Sequence, residues 1–345
     1  MRYFWLRIAG LLMAAGAVFA QSWRPQESGT TASLRGVWAV NDKVVWASGS
    51  GGTWLRTIDG GATWKASKMP GASDLDFRAV RAFSDKSAFL LSIGAGEKSR
   101  VYKTSDGGAN WQLLYTNPDP KGFFDAIQFW DEDHGIVLGD PVDGHFQVLT
   151  TEDGGANWKS QKTPAAVPNE GAFAASNSCL IVRGEHEAWF GTGGQGGGRI
   201  FHSSDGGKSW TVTKTPIRND SASAGIFSIA FSDNKHGVAV GGDYQKPKET
   251  MGAIVVTEDG GKSWIIPPKG TNGFRSAVFY VGQWVSTGTS GSDLSNDMKI
   301  WWQADSGDYN AVSCVRGGYS GPPCWFVGPK GAIASMHVQL VITVP

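Results

Sequence analysis

Five copies of one short pattern organise this chain: a hydroxyl residue, any residue, Asp, Gly, Gly, two residues, Trp. It reads TIDGGATW at 57–64, TSDGGANW at 104–111, TEDGGANW at 151–158, SSDGGKSW at 203–210 and TEDGGKSW at 257–264. The aspartates Asp59, Asp106, Asp153, Asp205 and Asp259 follow one another at steps of 47, 47, 52 and 54 residues. Self-similarity at such a period means stacked supersecondary modules. Within the pattern, an Asp at a turn accepts hydrogen bonds from backbone N–H groups just ahead of it. The Gly pair supplies the positive φ that a tight hairpin needs. The hydroxyl pins the incoming strand. Trp64, Trp111, Trp158, Trp210 and Trp264 each offer a large apolar face to a neighbouring sheet. Five repeated carboxylates invite a catalytic reading. A repeat architecture repeats its fold signals and not its active site, so these residues are read as structural.

Two further signals count the modules. An apolar run ending on Gly occurs seven times: VVWASG, FLLSIG, GIVLG, AWFGTG, GVAVG, QWVSTG and CWFVG. A starter segment precedes each run: LRGVWAV, FRAVRAF, FDAIQFW, AFAAS, FSIAFS, FRSAVFY and YNAVSCV. The sixth module carries a degenerate box in ADSGDYN, at Asp305, and the seventh has none. Each module has room for four short strands, but the seventh lacks the last one. The segment SWRPQES, ahead of the first starter, has no module of its own. This predicts an all-β, seven-bladed β-propeller with four-stranded blades, closed by an N-terminal strand that completes the last blade. Closure removes the free sheet edge at the seam.

Residues 1–20 read as an export signal, with Arg2 and Arg7 around a short apolar run and Val18-Phe19-Ala20 before the cleavage point. Residues 21–345 then form a single propeller, soluble and periplasmic or extracellular. Composition agrees with an all-β exported domain: 48 Gly and 16 Trp against 18% charged residues. Lys+Arg and Asp+Glu balance at 31 each, which argues against nucleic acid as a partner. Cys314 and Cys324 flank the turn of module seven and are placed to form a disulfide in an oxidising compartment. Cys179 reads as a buried small apolar residue. No zinc spacing, GxGxxG, haem or flavin motif is present, so neither metal nor cofactor is expected. A monomer is expected.

Function is sought where modules differ. Strand direction alternates, so loops entering the starters and loops leaving the Gly-terminated runs share one face of the ring, and the boxes lie on the other. Three arginines share one starter register: Arg35, Arg78 and Arg275. Converging on the funnel, they would present donor forks to a carboxylate or phosphate. The same residues can instead pair with carboxylates such as Asp125 or Asp76 and seal the channel mouth. Polar, Gly-rich loops on this face carry Asp140, Asp143, His145, Asp243 and Tyr244, with Glu185, His186 and Glu187 near the fourth run. These loops are candidate partner-binding elements or simply solvated surface.

The boxes resemble the Asp-box (BNR repeat) of sialidases, sortilins and related propellers. Together with the export signal, FRAV-type starters and the terminal WFVGPKGAIA run, they resemble the photosystem II assembly and stability factor family and its bacterial relatives over nearly the whole mature chain. That resemblance implies a non-enzymatic scaffold binding a protein or peptide partner, such as a membrane protein under assembly. The binding role falls to arginines on one face, here Arg35, Arg78 and Arg275, with Asp125, Asp140, Asp143 and Asp243 nearby. The alternative is a secreted sialidase-like glycoside hydrolase with a glycan ligand. It would draw two carboxylates from Asp140, Asp143, Asp243 and Glu187. Against it, the RIP-type signature is absent near the start, and the xyloglucan-degrading relatives need a second propeller to form their cleft.

Overall fold

The computed structural model describes residues 23–316 and 321–338. The expected export signal lies outside them, as does part of the turn between Cys314 and Cys324. The chain forms seven antiparallel sheets, taken as blades 1 to 7 in chain order. Blade 1 comprises Leu34–Ala39, Val45–Gly49, Thr53–Thr57 and Lys65–Lys68. Blades 2, 3 and 4 repeat the plan over 76–116, 124–161 and 180–214, and blades 5 and 6 over 224–257 and 277–305. Blade 7 takes three strands from 311–337 and its fourth from Arg24–Gln26. That N-terminal strand runs antiparallel to Ile333–His337 and pairs Pro25 with Ala334. The expected fold and its closure are therefore those observed.

Blade 5 has three regular strands, and its fourth position is held by a lone bridge between Val256 and Ile265. The cause is local. Pro267 and Pro268 follow at once and have no N–H to give to a ladder.

Each of the five boxes closes the hairpin between third and fourth strands by the same bonds. In the first, Thr57 Oγ1 donates to Asp59 Oδ1 at 2.7 Å and accepts from Gly61 N at 2.9 Å. Asp59 Oδ1 accepts from Thr63 N at 2.9 Å, and Oδ2 from Thr63 Oγ1 at 2.6 Å. Asn110, Asn157, Ser209 and Ser263 do the same for their aspartates. These bonds hold all five carboxyls at about pKa 2, against a desolvation effect that opposes them throughout and is the largest single one in the last two boxes.

Two sequence expectations are corrected. The sixth box is not at Asp305, which ends the fourth strand of its blade. It is Ser295-Asn296-Asp297-Met298-Lys299-Ile300-Trp301, one residue shorter. Asp297 Oδ1 accepts from Lys299 N and Ile300 N at 2.9 Å, and Met298 takes the positive φ of the missing Gly. Trp301 is fully buried. The second correction is the fourth starter. The inner strand of blade 4 is Leu180–Arg183, not AFAAS at 172–176.

The core is divided among the blade interfaces. Seven apolar clusters sit one between each successive pair of blades. Trp111, for example, packs edge-on to Trp46 and Trp54 of blade 1, with centroids 6.2 and 5.6 Å away. Between blades 6 and 7 the box Trp is replaced by Trp23, which precedes the closing strand and lies 5.3 Å from Phe326. The N-terminus thus supplies both the seventh outer strand and its tryptophan. Gln26 ties this seam to the first box, accepting from Trp64 Nε1 at 2.9 Å.

Candidate functional site: the two ends of the channel

Inner strands begin at one end of the ring, the top face, and finish at the other, the box face. At the top face a β-bulge falls on Arg35, Arg78, Asp125 and Phe227, in blades 1, 2, 3 and 5. A bulge re-aims the side chain it carries. In blade 6 the strand is offset by one residue, because Ser276 and Ala277 both oppose Thr287. A one-residue slip exchanges the faces of a strand. Arg275 is therefore directed into the body of its blade. It is 0% exposed, pairs with Asp293 at 2.6 Å, and bonds Phe274 O and Ser290 Oγ.

Arg35 and Arg78 do lie close together. Burial and the neighbouring Arg78 lower the pKa of Arg35, while Asp76 and Asp308 oppose that shift. Arg78 bonds Asp76 at 2.9 Å and reaches Ala174 O at 3.0 Å. The structure brings two of the three arginines together and gives each a local partner; Arg35 bonds Asn310 Oδ1 at 3.5 Å.

Ala174 belongs to a plug. Residues 174–178, ahead of the inner strand of blade 4, lie across the channel and bond four other blades. Ala174 O accepts from Arg78 of blade 2. Asn177 Oδ1 accepts from Ile127 N of blade 3 at 2.9 Å. Ser178 Oγ donates to Ser228 Oγ of blade 5, and Ser176 Oγ to Ser276 O of blade 6, both at 2.7 Å. Small residues suit a segment that meets the inner strands of several blades at once. Asn177 adopts φ 65°, a conformation that Asn tolerates better than most residues.

The other sequence candidates scatter around the plug. Asp125 is fully buried, and neither carboxylate oxygen has a hydrogen-bond partner. Burial, then the nearby Asp140, push its pKa well above the carboxylate range, against the pull of Arg78. Asp140 Oδ1 accepts from Ala172 N at 2.9 Å, and burial raises its pKa as well. Asp143 is exposed at a hairpin tip, with φ 50° and Lys121 at 3.6 Å. His145 Nδ1 is paired with Thr163 O at 2.8 Å. Asp243 is buried and caps its own loop through Gln245 N and Ser221 Oγ. Tyr244 is exposed beside Phe227, which lies against Phe173 and Phe274. Of the carboxylates near the fourth run, Glu187 pairs with His202. Cys314 and Cys324 are disulfide-bonded with Cα atoms 4.0 Å apart, and Cys179 is buried between blades 3 and 4. Burial raises the Cys179 pKa.

Two cavities flank the plug. On the top face, a groove of about 760 Å³ runs between blades 3 and 4, bounded by Lys121, Asp140, Pro141, Glu170 and Phe173. Glu170 is neutralised by Arg199. On the box face the channel opens into a cup of about 380 Å³ whose floor is Ser176, Asn177 and Ser178. Its wall carries Arg81, Arg183 and Arg316, which the sequence reading passed over. Each lies at or just past the end of an inner strand, within two residues of its last one, as in FRAVR, LIVR and VSCVR; that shared position was the available signal. Among the described residues no group of three or more His, Cys, Asp or Glu is placed to hold a metal ion, and no helix is long and apolar enough to cross a membrane.

No protein-family model and no curated protein matches the chain. Solved structures do. A structure described as YCF48 bound to D1 peptide superposes with a TM-score of 0.63 at 16% identity, covering 92% of this chain and 97% of that one. YCF48 from Cyanidioschyzon merolae gives 0.60 at 17%, covering 91% and 98%. An ancestral GH74 enzyme gives 0.63 at 13%, covering 92% of this chain but 46% of the enzyme. The chain is thus a closed seven-bladed propeller with a plugged channel. It resembles the YCF48 structures in architecture, and at these identities the likeness concerns the fold.

Proposed function

We propose that the chain is a non-enzymatic scaffold that binds an extended segment of a protein partner in the top-face groove between blades 3 and 4. The groove itself carries the reading. It is open to solvent, it is framed by loops on a rigid ring, and its wall combines the apolar Pro141 and Phe173 with the charged Lys121 and Asp140. Arg35 and Arg78 lie on the same face, and exposed Asp143 stands beside Lys121 at the groove's edge. The peptide-bound YCF48 structure supports the reading by analogy of fold. A membrane protein under assembly is the partner class we favour. Export by residues 1–20 belongs to the same proposal, and the disulfide is in keeping with an oxidising compartment.

The glycosidase alternative rests on likeness to the GH74 enzyme, of which this chain matches less than half. In the groove its carboxylates reduce to Asp140 and Glu170, and Glu170 is already committed to Arg199, Thr192 Oγ1 and Val167 N. The scaffold reading needs no free pair.

The test is site-specific crosslinking in envelope extract. A photoreactive residue at Lys121, exposed at the groove, is expected to trap a discrete protein. One at Ile58, exposed on the first box, is expected to trap none. Equal trapping at both sites, or trapping at Ile58 alone, would refute the placement. Amino-terminal sequencing of the recovered protein checks the export site.

A further inference from the structure

The box-face cup holds three arginines without a carboxylate to answer them. Among the described residues, Arg81, Arg183 and Arg316 form no salt bridge, whereas Arg78, Arg199, Arg218 and Arg275 do; Asp233 and Glu187 act on Arg183 only at a distance. Arg81 Nη1 and Nη2 donate only to backbone carbonyls, Ala82 O at 2.8 Å and Phe129 O at 3.2 Å, and its Nε is buried with no acceptor. Arg183 donates to Asp233 O and reaches Asn234 Oδ1 at 3.5 Å. Arg316 lies over Trp38 and Phe279, with ring centroids 6.0 and 5.5 Å away.

The nearest acids are already engaged or remote. Asp233 caps its own turn and pairs with His236, and Glu187 pairs with His202. Glu132 acts on Arg81 only at a distance and takes a hydrogen bond from Ser87. The three guanidiniums meanwhile repel one another. Burial, then Arg316, bring Arg81 down to about pKa 9, and burial, then Arg183, lower Arg316. Like charges in a partly desolvated cup are costly unless a counter-charge joins them. The chain as a whole carries no net charge, so this concentration of one sign is local.

The cup supplies the rest of a ligand site. Its floor is hydroxyl and amide, from Ser176, Asn177 and Ser178. Its wall offers flat rings: Trp38 with Arg81 at 4.0 Å, and Phe279 beside Arg316. The volume of about 380 Å³ falls in the small-ligand range. Arginine forks match the oxygens of phosphate and carboxylate.

We propose that the box-face cup is a binding site for a small ligand carrying a doubly charged oxyanion, a phosphate monoester or a dicarboxylate, on a flat apolar body. The oxyanion is held between Arg81, Arg183 and Arg316, and the body lies against Trp38 and Phe279. The site is separated by the plug from the top-face groove, and it stands or falls independently of the scaffold reading.

Isothermal titration of the full chain at low ionic strength tests it, with phenyl phosphate, phthalate and inorganic phosphate as probes. At least one aromatic probe is expected to bind, and more tightly than inorganic phosphate; whichever of phenyl phosphate and phthalate is tighter names the oxyanion. Arg316→Gln and Arg183→Gln are each expected to weaken binding about tenfold, one charge-assisted hydrogen bond in each case. Added salt should weaken it further. Arg316 is exposed at the mouth and forms no hydrogen bond or salt bridge among the described residues, so its variant is expected to stay folded and decides the matter if Arg183→Gln is unstable. No heat from any probe, or binding that both variants leave unchanged, would overturn the proposal.

Discussion

The two ends of the ring solve opposite problems with the same residue type. At the top face every arginine of the starter segments has found a partner: Arg275 an internal carboxylate, Arg78 an aspartate and a plug carbonyl, Arg35 the side chain of Asn310. At the box face Arg81, Arg183 and Arg316 stand around an open cup with ring faces and carbonyls for company. Position along the inner strand separates the two groups. Residues at the start of the strand meet the plug, where an unpaired charge would be buried. Residues at its end meet a mouth wide enough for water or a ligand. An arginine read from sequence as a binding residue is therefore better judged by what its height in the channel allows.

The largest effect that would test this contrast lies at Arg275. Arg275→Ala leaves Asp293 buried without its cation, a loss of about 3–5 kcal/mol by denaturant unfolding. A loss below about 1 kcal/mol would show that the top-face arginine is not structural, and would return it to the list of binding residues.

A second test uses pH, because the two faces slope in opposite directions. Burial raises the pKa of Asp125, which favours its neutral form in the fold. Above the unfolded value of about 3.9 the unfolded state ionises while the folded one resists, and stability falls as pH rises. Asp125→Asn removes that slope, and the variant should gain melting temperature over the wild type at pH 8 but not at pH 4. A variant less stable at both would show that the carboxylate is ionised and needed.

The boxes give the converse. Their aspartates are depressed to about 2, so their contribution is present above about pH 4 and is lost as pH falls through about 2. Asp153→Asn should lower the melting temperature by a few degrees at pH 7, flatten the acid limb of the stability profile, and leave crosslinking at Lys121 unchanged. Loss of crosslinking with no change in melting would break the structural account of the box.

How far the sequence reaches follows the same division. Blade number, closure and five boxes are legible because each rests on a local pattern repeated in register. The sixth box escapes since Met298 stands in for a Gly and one residue is gone, so a search for GG moves on to Asp305. Trp23 escapes because it meets its blade only after the ring has closed. Arg275 looks equivalent to Arg78 in FRSAV and FRAV, yet a single-residue offset against Thr287 turns it inward. AFAAS reads as a starter by composition, while the structure uses the preference of small residues for tight space and makes it a plug. The cup follows from that plug, since without a floor there is only a channel. Its arginines were visible at the ends of the starters, but their isolation from carboxylates is a property of three dimensions.

The smallest effect is the most discriminating. Removing Arg316 takes away one of three mutually repelling charges and no hydrogen bond or salt bridge within the described fold. Arg316→Ala should therefore leave stability within about 0.5 kcal/mol of wild type, on the stabilising side, in ligand-free buffer of low ionic strength. Added sodium chloride screens the repulsion in the wild type, so its melting temperature should rise with salt more than that of the variant. Arg78→Ala at the other end is the control. It forfeits the bonds to Asp76 and the plug carbonyl, and should destabilise at every salt concentration. If Arg316→Ala destabilised as Arg78→Ala does, Arg316 would be a structural partner like those of the top face, and the cup would not be waiting for an anion.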